Sequence, residues 1–411
     1  MGSKLAINGG DKACALTWPS WPIWDDAERA AINAVLESGK WWYGARVKQF
    51  EAEFAAFQDA RFGVTASSGT TALETLLEAA DIGPGDEVIV PPYTFIATAS
   101  AVLRVGAIAV FADIEPGTWS MDPEAAVKCI TARTKAIMPV HFGGHIVDMD
   151  RFLAIGREHN VMILEDACHS WGGKWKGKGS GAIGRAGVFS FQVSKNIASA
   201  EGGIILTDDE ALAEKCRSIT NCGRTLDGAW YDHANLGSNL RLTEFQAAIL
   251  LGQLSRLEAH TLQRERNGAY LTERLAEMPA IDTLTEDSRI TRRPYHLYTF
   301  RLNSELLGVS RERFIKALEA EGVPASPGYL RPAYKMGVFQ NINDPGVGGR
   351  VTRANPGVAL DYSKVYCPVA ERACAETVWL SHTLLLADSG AVRGIADAIE
   401  KVLTHAAEIP A

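Results

Sequence analysis

From about residue 61 the chain alternates short apolar runs with segments of helical period, and that alternation is the signature of a parallel sheet with crossover helices. Phe62–Ala66, Glu87–Val90, Ile108–Phe111, Lys135–Val140 and Val161–Leu164 read as strands, and Thr70–Ala80, Phe95–Val105 and Asp148–Glu158 as helices between them. A further helix is expected over about Thr243–Glu258, where Leu242, Phe245, Ile249 and Leu257 fall near one stripe. Beyond about residue 260 the strands become fewer. A Gly/Pro/Asn-rich stretch fills 343–357, and the chain ends in a helix with Val392, Ile395, Ile399, Val402 and Leu403 on one side. The reading is therefore a large α/β domain over 25–260 with a mainly parallel sheet between helices, and a smaller α+β domain over 261–411. An arm over 1–24 precedes them. In it Trp18-Pro19-Ser20-Trp21-Pro22-Ile23-Trp24 combines prolines that prevent regular structure with three tryptophans that need burial, on this chain or on a second subunit.

A chain of 411 residues can bury ample core, and 22% charged with 47% hydrophobic residues is ordinary for a soluble globular protein. The net charge of −8 supplies no basic field for nucleic acid or an anionic membrane. Seven cysteines, an odd number without paired metal-type spacing, read as reduced thiols of a cytoplasmic protein. No apolar stretch is long enough to span a bilayer, and no helix-turn-helix extension is apparent. The expected partners are small molecules.

Within the large domain one lysine stands in an unusual setting. Lys195 follows the apolar run Val188-Phe189-Ser190-Phe191 and precedes a polar turn that returns through Gly202-Gly203 into Ile204-Ile205-Leu206. A strand–turn–strand reading puts its amine over a pocket, where partial desolvation lowers its pKa and makes it a nucleophile and base. Ser67-Ser68-Gly69-Thr70-Thr71 joins a strand to a helix, so free N–H groups of the first turn can hold a phosphate, although any Ser/Thr cap looks similar. It is neither a Walker loop nor a dinucleotide loop. Val161–Leu164 delivers Glu165, Asp166 and nearby His169 to the carboxyl end of a strand, where open α/β sheets bind ligands. No metal-ligand set accompanies His169, so no metal is expected. A lysine, an acid at a strand end and a phosphate cradle together suit pyridoxal 5′-phosphate. Tyr93 and Phe95 leave another strand end as candidates to lie over its ring.

Six motifs in order carry a resemblance: Ser68-Gly69-Thr70-Thr71-Ala72-Leu73, Pro91-Pro92-Tyr93-Thr94-Phe95, Pro139-Val140-His141, Glu165-Asp166-Ala167-Cys168-His169, Ser190-Phe191-Gln192-Val193-Ser194-Lys195 with Glu201-Gly202-Gly203, and Gly237-Ser238-Asn239-Leu240-Arg241-Leu242. Through them the chain resembles the DegT/DnrJ/EryC1/StrS family of sugar aminotransferases over almost its whole length. The resemblance implies the aspartate-aminotransferase type of fold, fold type I of the pyridoxal-phosphate enzymes. It implies that Lys195 is the Schiff-base lysine, that Asp166 partners the pyridine nitrogen, and that His169 lies near the phenolic oxygen. Phe95, with Tyr93 as the alternative, would stack on the ring. Ser68, Gly69, Thr70 and Ser190 would hold the phosphate, with Asn239 reaching across from the other subunit of a homodimer with shared active sites.

The Trp-Pro arm, Gly39-Lys40-Trp41-Trp42, Arg241–Phe245 and the tail through Trp379-Leu380-Ser381-His382 are most similar to one branch of that family. That branch holds L-glutamine:scyllo-inosose and 2-deoxy-scyllo-inosose aminotransferases and 3-amino-5-hydroxybenzoate synthases. It implies an amino donor, L-glutamine or L-glutamate, and a keto-cyclitol or keto-sugar acceptor. An aromatising synthase, a nucleotide-keto-sugar aminotransferase and, from another class, a non-catalytic regulator that binds the cofactor are the alternatives. Candidate substrate contacts are Trp42 and Tyr43 in the aromatic loop, with Tyr295, His296, Tyr329 and Arg331 in the small domain. Local core packing is the competing reading for each of these groups.

Overall fold

Valine, isoleucine and phenylalanine dominate the apolar runs, and a strand made of them is stable where both faces of its sheet are covered. The computed structural model describes residues 4–225 and 231–410. Its strands are β1 (Phe62–Ala66), β2 (Glu87–Val90), β3 (Ile108–Phe111), β4 (Thr134–Ile137), β5 (Met162–Asp166), β6 (Lys174–Trp175), β7 (Lys178–Gly179), β8 (Ala186–Ser190) and β9 (Gly203–Thr207). Seven of them form one sheet in the order β1-β9-β8-β5-β4-β2-β3. Only β9 opposes its neighbours, pairing antiparallel with β1 and β8, while β3, β2, β4, β5 and β8 pair in parallel. The expected strand over Lys135–Val140 stops at Ile137, because Pro139 has no N–H to continue the ladder.

Helices α1 (Asp26–Ser38), α2 (Ala45–Phe57), α3 (Gly69–Ala79), α4 (Ala97–Arg104), α5 (Pro123–Lys128), α6 (Met149–His159), α7 (Glu210–Thr220) and α8 (Glu244–Leu275) accompany the sheet. Leu73, Leu76, Val102 and Leu212 pack with Val64, Val88 and Ile205 in one core. Phe54, Leu250 and Leu254 pack with Phe189 and Ile204 in another, and Phe152 and Ile155 with Ile89, Ile137 and Ile163 in a third.

Helix α8 departs from its expected end near Glu258 and runs to Leu275, starting from a capping box between Thr243 and Gln246. Its buried stripe continues past residue 258 through Thr261, Arg264, Gly268 and Leu271. Three of those four are not apolar, so the hydrophobic period fades although the helix does not.

A second, antiparallel sheet has the order β10-β12-β13, from β10 (Ile281–Thr283), β12 (Leu297–Leu302) and β13 (Thr377–Ser381), while β11 (Ile290–Arg292) pairs with β6. The helix Ser389–Thr404 packs on this sheet through Val392, Ile395, Ile399 and Val402, and the chain's start joins the same core through Leu5 and Cys14. Buried Glu321 fastens that start, accepting from the N–H groups of Ala6 (2.7 Å) and Ala13 (2.9 Å) and from Lys401 Nζ (2.9 Å).

Of the three arm tryptophans, Trp18 Nε1 donates to Gly322 O (2.9 Å) and Trp21 Nε1 to Val193 O (2.8 Å), whereas Trp24 is exposed in this chain. All seven cysteines are free thiols. No helix among the described residues is long and apolar enough to cross a membrane.

Candidate active site

Three strand ends converge at the carboxyl edge of the parallel strands. β5 ends on Asp166 and β8 on Ser190, while β1 leads through Ser67-Ser68 into α3. Beyond Ser190 the chain loops out, carries Lys195, and returns into β9. A cavity of about 530 Å³ lies among them, lined by Ser68, Gly69, Thr70, Phe95, Asp166, His169, Ser190 and Lys195.

Side-chain alternation along β5 separates its two acids. Glu165 is wholly buried on structural duty, accepting from Gly181 N (2.7 Å), Ile183 N (2.8 Å) and Gly184 N (2.6 Å) and pairing with His141 Nε2 (2.8 Å). Asp166 faces the cavity, and its carboxylate is oriented by Thr98 Oγ1, which donates to Oδ2 (2.7 Å), and by the Cys168 N–H, which donates to Oδ1 (3.1 Å). The Thr98 hydroxyl is in turn within 2.9 Å of Thr94 Oγ1.

Lys195 is half-buried, and desolvation draws its amine below the ordinary lysine value, while Cys168 and Asp166 act in the other direction. Burial and then the Lys195 charge hold the His169 imidazole well below the usual histidine range, so it is neutral. The Gly143 N–H donates to His169 Nδ1 (3.3 Å), which leaves Nε2 as the proton-bearing atom. Burial and Asp166 push the Cys168 thiol well up, so it is no thiolate.

Helix α3 presents its first turn at the opposite end. Ser68 caps it, its Oγ accepting from Thr71 N (3.1 Å), and Gly69 and Thr70, whose N–H groups have no intrahelical carbonyl to bond, line the cavity. A Cβ on Gly69 would sit 2.7 Å from the Ser190 Cβ, so glycine is required where helix and strand end meet. This donor-rich hollow fits a phosphate, the oriented Asp166 fits a protonated ring nitrogen, and the amine of Lys195 lies in the same cavity. The residues present fit pyridoxal phosphate.

The remaining expected contacts lie elsewhere. Tyr93 does not line the cavity. It is fully buried, its OH accepting from Trp379 Nε1 (3.2 Å) and its ring packing on Phe142 and Tyr329, so Phe95 is the aromatic that faces the site. Tyr329 belongs to that aromatic cluster and does not line the cavity either. Tyr43 lines a separate cavity of about 430 Å³, with its OH donating to Glu51 (2.9 Å). Trp42 is exposed beneath Arg241, whose guanidinium carbon is 5.2 Å from the ring centroid. Tyr295 is buried beside Tyr298, Arg331 lies at a third hollow with Tyr334 and Tyr362, and Asn239 is exposed, away from its own chain's cavity. His296 lies behind the wall, its ring centroid 4.4 Å from that of His169. Thr98, Cys168, Gln192 and Glu201 also line the cavity; the last three stand inside the quoted motifs without an expected role, and Thr98 lies outside them. Thr98 had a readable signal, one helical turn after Thr94 at the strand end that bears Phe95.

A mainly parallel sheet flanked by helices, with a lysine of lowered pKa, an oriented buried carboxylate and a helix N-terminus around one cavity, defines a pyridoxal-phosphate-dependent transferase of fold type I. The DegT/DnrJ/EryC1/StrS aminotransferase family model matches residues 22–400, and the chain belongs to that family. It is 36% identical over 427 residues, covering all of both chains, to the L-glutamine:scyllo-inosose aminotransferase of Streptomyces griseus. It is 34% identical to the 3-amino-5-hydroxybenzoate synthase of Amycolatopsis mediterranei, with 95% of this chain and 98% of the relative covered. A crystal structure of 3-amino-5-hydroxybenzoic acid synthase superposes with a TM-score of 0.85 at 34% identity, over 95% of this chain and 99% of the other. The protein is thus an aminotransferase, and its cofactor is pyridoxal 5′-phosphate.

Proposed function

We propose that this enzyme moves the amino group of L-glutamine or L-glutamate to the ketone of a polyhydroxylated six-membered carbocycle, a scyllo-inosose or a deoxy relative. The observation that carries the chemistry is the half-buried Lys195 in one cavity with the oriented Asp166 and the α3 N-terminus. The acceptor class rests on the full-length likeness to L-glutamine:scyllo-inosose aminotransferases.

In this reading Ser68, Gly69, Thr70 and Ser190 would hold the cofactor's phosphate, Asp166 would face its ring nitrogen, and Phe95 would cover the ring. When bound, the cofactor supplies an aldehyde that exchanges with amines and a ring that accepts an electron pair. Lys195 Nζ is the group that would hold that aldehyde. Displaced by the donor, it is an uncharged amine, because burial disfavours ammonium, and it takes the proton from the donor's α-carbon. In the second half it returns a proton to the carbon that entered as the ketone. His169, neutral with its proton on Nε2, donates rather than accepts at the cavity wall. We place the active form as a homodimer whose Asn239 serves the second subunit's cavity, in the cytoplasm, a setting that the free thiols support.

The second reading is the aromatising synthase, favoured by the 0.85 TM-score to such an enzyme. A donor and acceptor screen on the holoenzyme separates them. Loss of the visible cofactor band with L-glutamine and its recovery with scyllo-inosose is the expected result. Aromatic product from an aminodehydroshikimate would select the second reading, and no response to either an amino acid or the aminodehydroshikimate would overturn both.

A further inference from the structure

The residues on both sides of Lys195 are held from outside the cavity. Val193 O accepts from Trp21 Nε1 (2.8 Å), Ser194 O lies 3.0 Å from His382 Nε2, and Asn196 Oδ1 lies 3.0 Å from His296 Nδ1. None of Trp21, His296 and His382 lines the cavity. The two histidines come from neighbouring strand ends of the small sheet, where the His382 N–H donates to His296 O (3.2 Å).

The chemistry of the partners fixes each proton. Arg264 is wholly buried, and its Nη2 donates to His382 Nδ1 (3.1 Å); a guanidinium has no acceptor, so Nδ1 is the accepting atom and the proton sits on Nε2, facing the Ser194 carbonyl. Asn196 Nδ2 donates to the carbonyl of Pro294 (3.1 Å), which can only accept; its Oδ1 therefore faces His296, whose Nδ1 carries the proton. Arg264 Nε and Nη1 are buried without a hydrogen-bond partner among the described residues, so its one such bond, to His382, orders an otherwise unsatisfied group. Trp21 covers the same corner, its ring edge-on to His382 at 4.7 Å and 5.7 Å from the Arg264 guanidinium carbon.

We propose that His382, set by Arg264 and seconded by His296, is a positioning residue that clamps the loop on both sides of Lys195 and so fixes where its amine stands. The proposal rests on the assignment of Lys195 as the amine that binds the cofactor. It also turns His296 from a substrate contact into a support for Lys195 and for the ring of His169.

Two variants test it, His382→Leu, which removes donor and acceptor, and His382→Gln, which keeps one of each. Two readouts are taken on the holoenzyme: amide hydrogen exchange of residues 193–197, and the pH midpoint of the visible cofactor band. In His382→Leu those amides should exchange at least about tenfold faster while β5 and β8 keep their protection, and the midpoint should move by about one pH unit. His382→Gln should stay within about threefold of the parent exchange rate. Should His382→Leu fail to fold, Arg264→Met/His382→Leu, which removes both buried partners, takes its place with the same expectation. An unmoved midpoint with unchanged exchange at 193–197, or a glutamine variant as impaired as the leucine one, would overturn the clamp. A parent protein with no visible band would instead overturn the role of Lys195, and the exchange readout would still decide the clamp.

Discussion

Lys195 owes its chemistry to where a charge is costly. The folded apoprotein releases its proton below the ordinary lysine value of 10.5, while the unfolded chain keeps it up to that value. Across that interval the unfolded state binds more protons, so stability rises with pH. Lys195→Met removes the titration and should raise the apoprotein's melting temperature near pH 8, with the gain fading as pH approaches 10.5; a gain independent of pH would contradict the desolvated amine. At the other end of the cavity, Gly69→Ala would put a methyl 2.7 Å from the Ser190 Cβ. Cofactor affinity measured by titration should fall by about tenfold or more, the scale of an overpacked site, and adding Ser190→Gly should recover part of it. Asp166, Ser190 and Gly69 were legible as candidates because each closes a strand or opens a helix, and Lys195 because its loop joins two apolar strands; strand ends are where such sheets bind ligands. Tyr93, Tyr295 and Tyr329 were not, since an aromatic run does not say which side of the chain meets the cavity. His382 was visible as part of a motif but without a role, because its partners Arg264 and Ser194 are distant in sequence.

Helix α8 illustrates what periodicity can and cannot deliver. Its first half was expected from Phe245, Ile249 and Leu257, and its second half was hidden because Arg264 and Gly268 occupy the buried stripe. Gly268 is there for space. Glycine to alanine inside a helix ordinarily gains up to about 1 kcal/mol, yet here the added Cβ would meet the Tyr295 ring at 2.5 Å. Gly268→Ala should therefore destabilise the protein by about 1–3 kcal/mol in denaturant melts, as overpacking does. A stabilised variant would mean that the Tyr295 ring yields freely. The parallel strands were easier to read, since each is a short, nearly continuous apolar run, which a sheet covered on both faces requires.

At the scale of the whole molecule, the cavity of one chain holds the amine, the acid and the phosphate cradle, while Asn239, Trp42 and Leu236 face outward. If active sites are shared, Lys195→Ala and Asn239→Ala subunits, each weakly active alone, should regain activity when unfolded together and refolded as mixed dimers. One of the two sites in a mixed dimer is then intact, so about a quarter of parent activity is expected, being half the dimers with half their sites. No recovery would place Asn239 in its own chain's chemistry or outside it. The proposed subunit arrangement comes from the family resemblance and not from periodicity, because nothing in one chain's hydrophobic pattern says which exposed residues a second copy covers.

In the function we propose, this chain carries an amino group from an amino acid to a cyclic ketone through Lys195. The most direct measurement follows the α-amino nitrogen of L-glutamine, supplied as the heavy isotope with scyllo-inosose, by mass spectrometry of the products. The label should appear in the aminated carbocycle with the parent enzyme and be absent with Lys195→Ala, whose rate should fall by at least about 10²–10⁴-fold, the range for loss of a positioned acid–base group. Label that stays in L-glutamine, and in labelled L-glutamate supplied in its place, with the parent enzyme, or that reaches the carbocycle equally fast with Lys195→Ala, would contradict it.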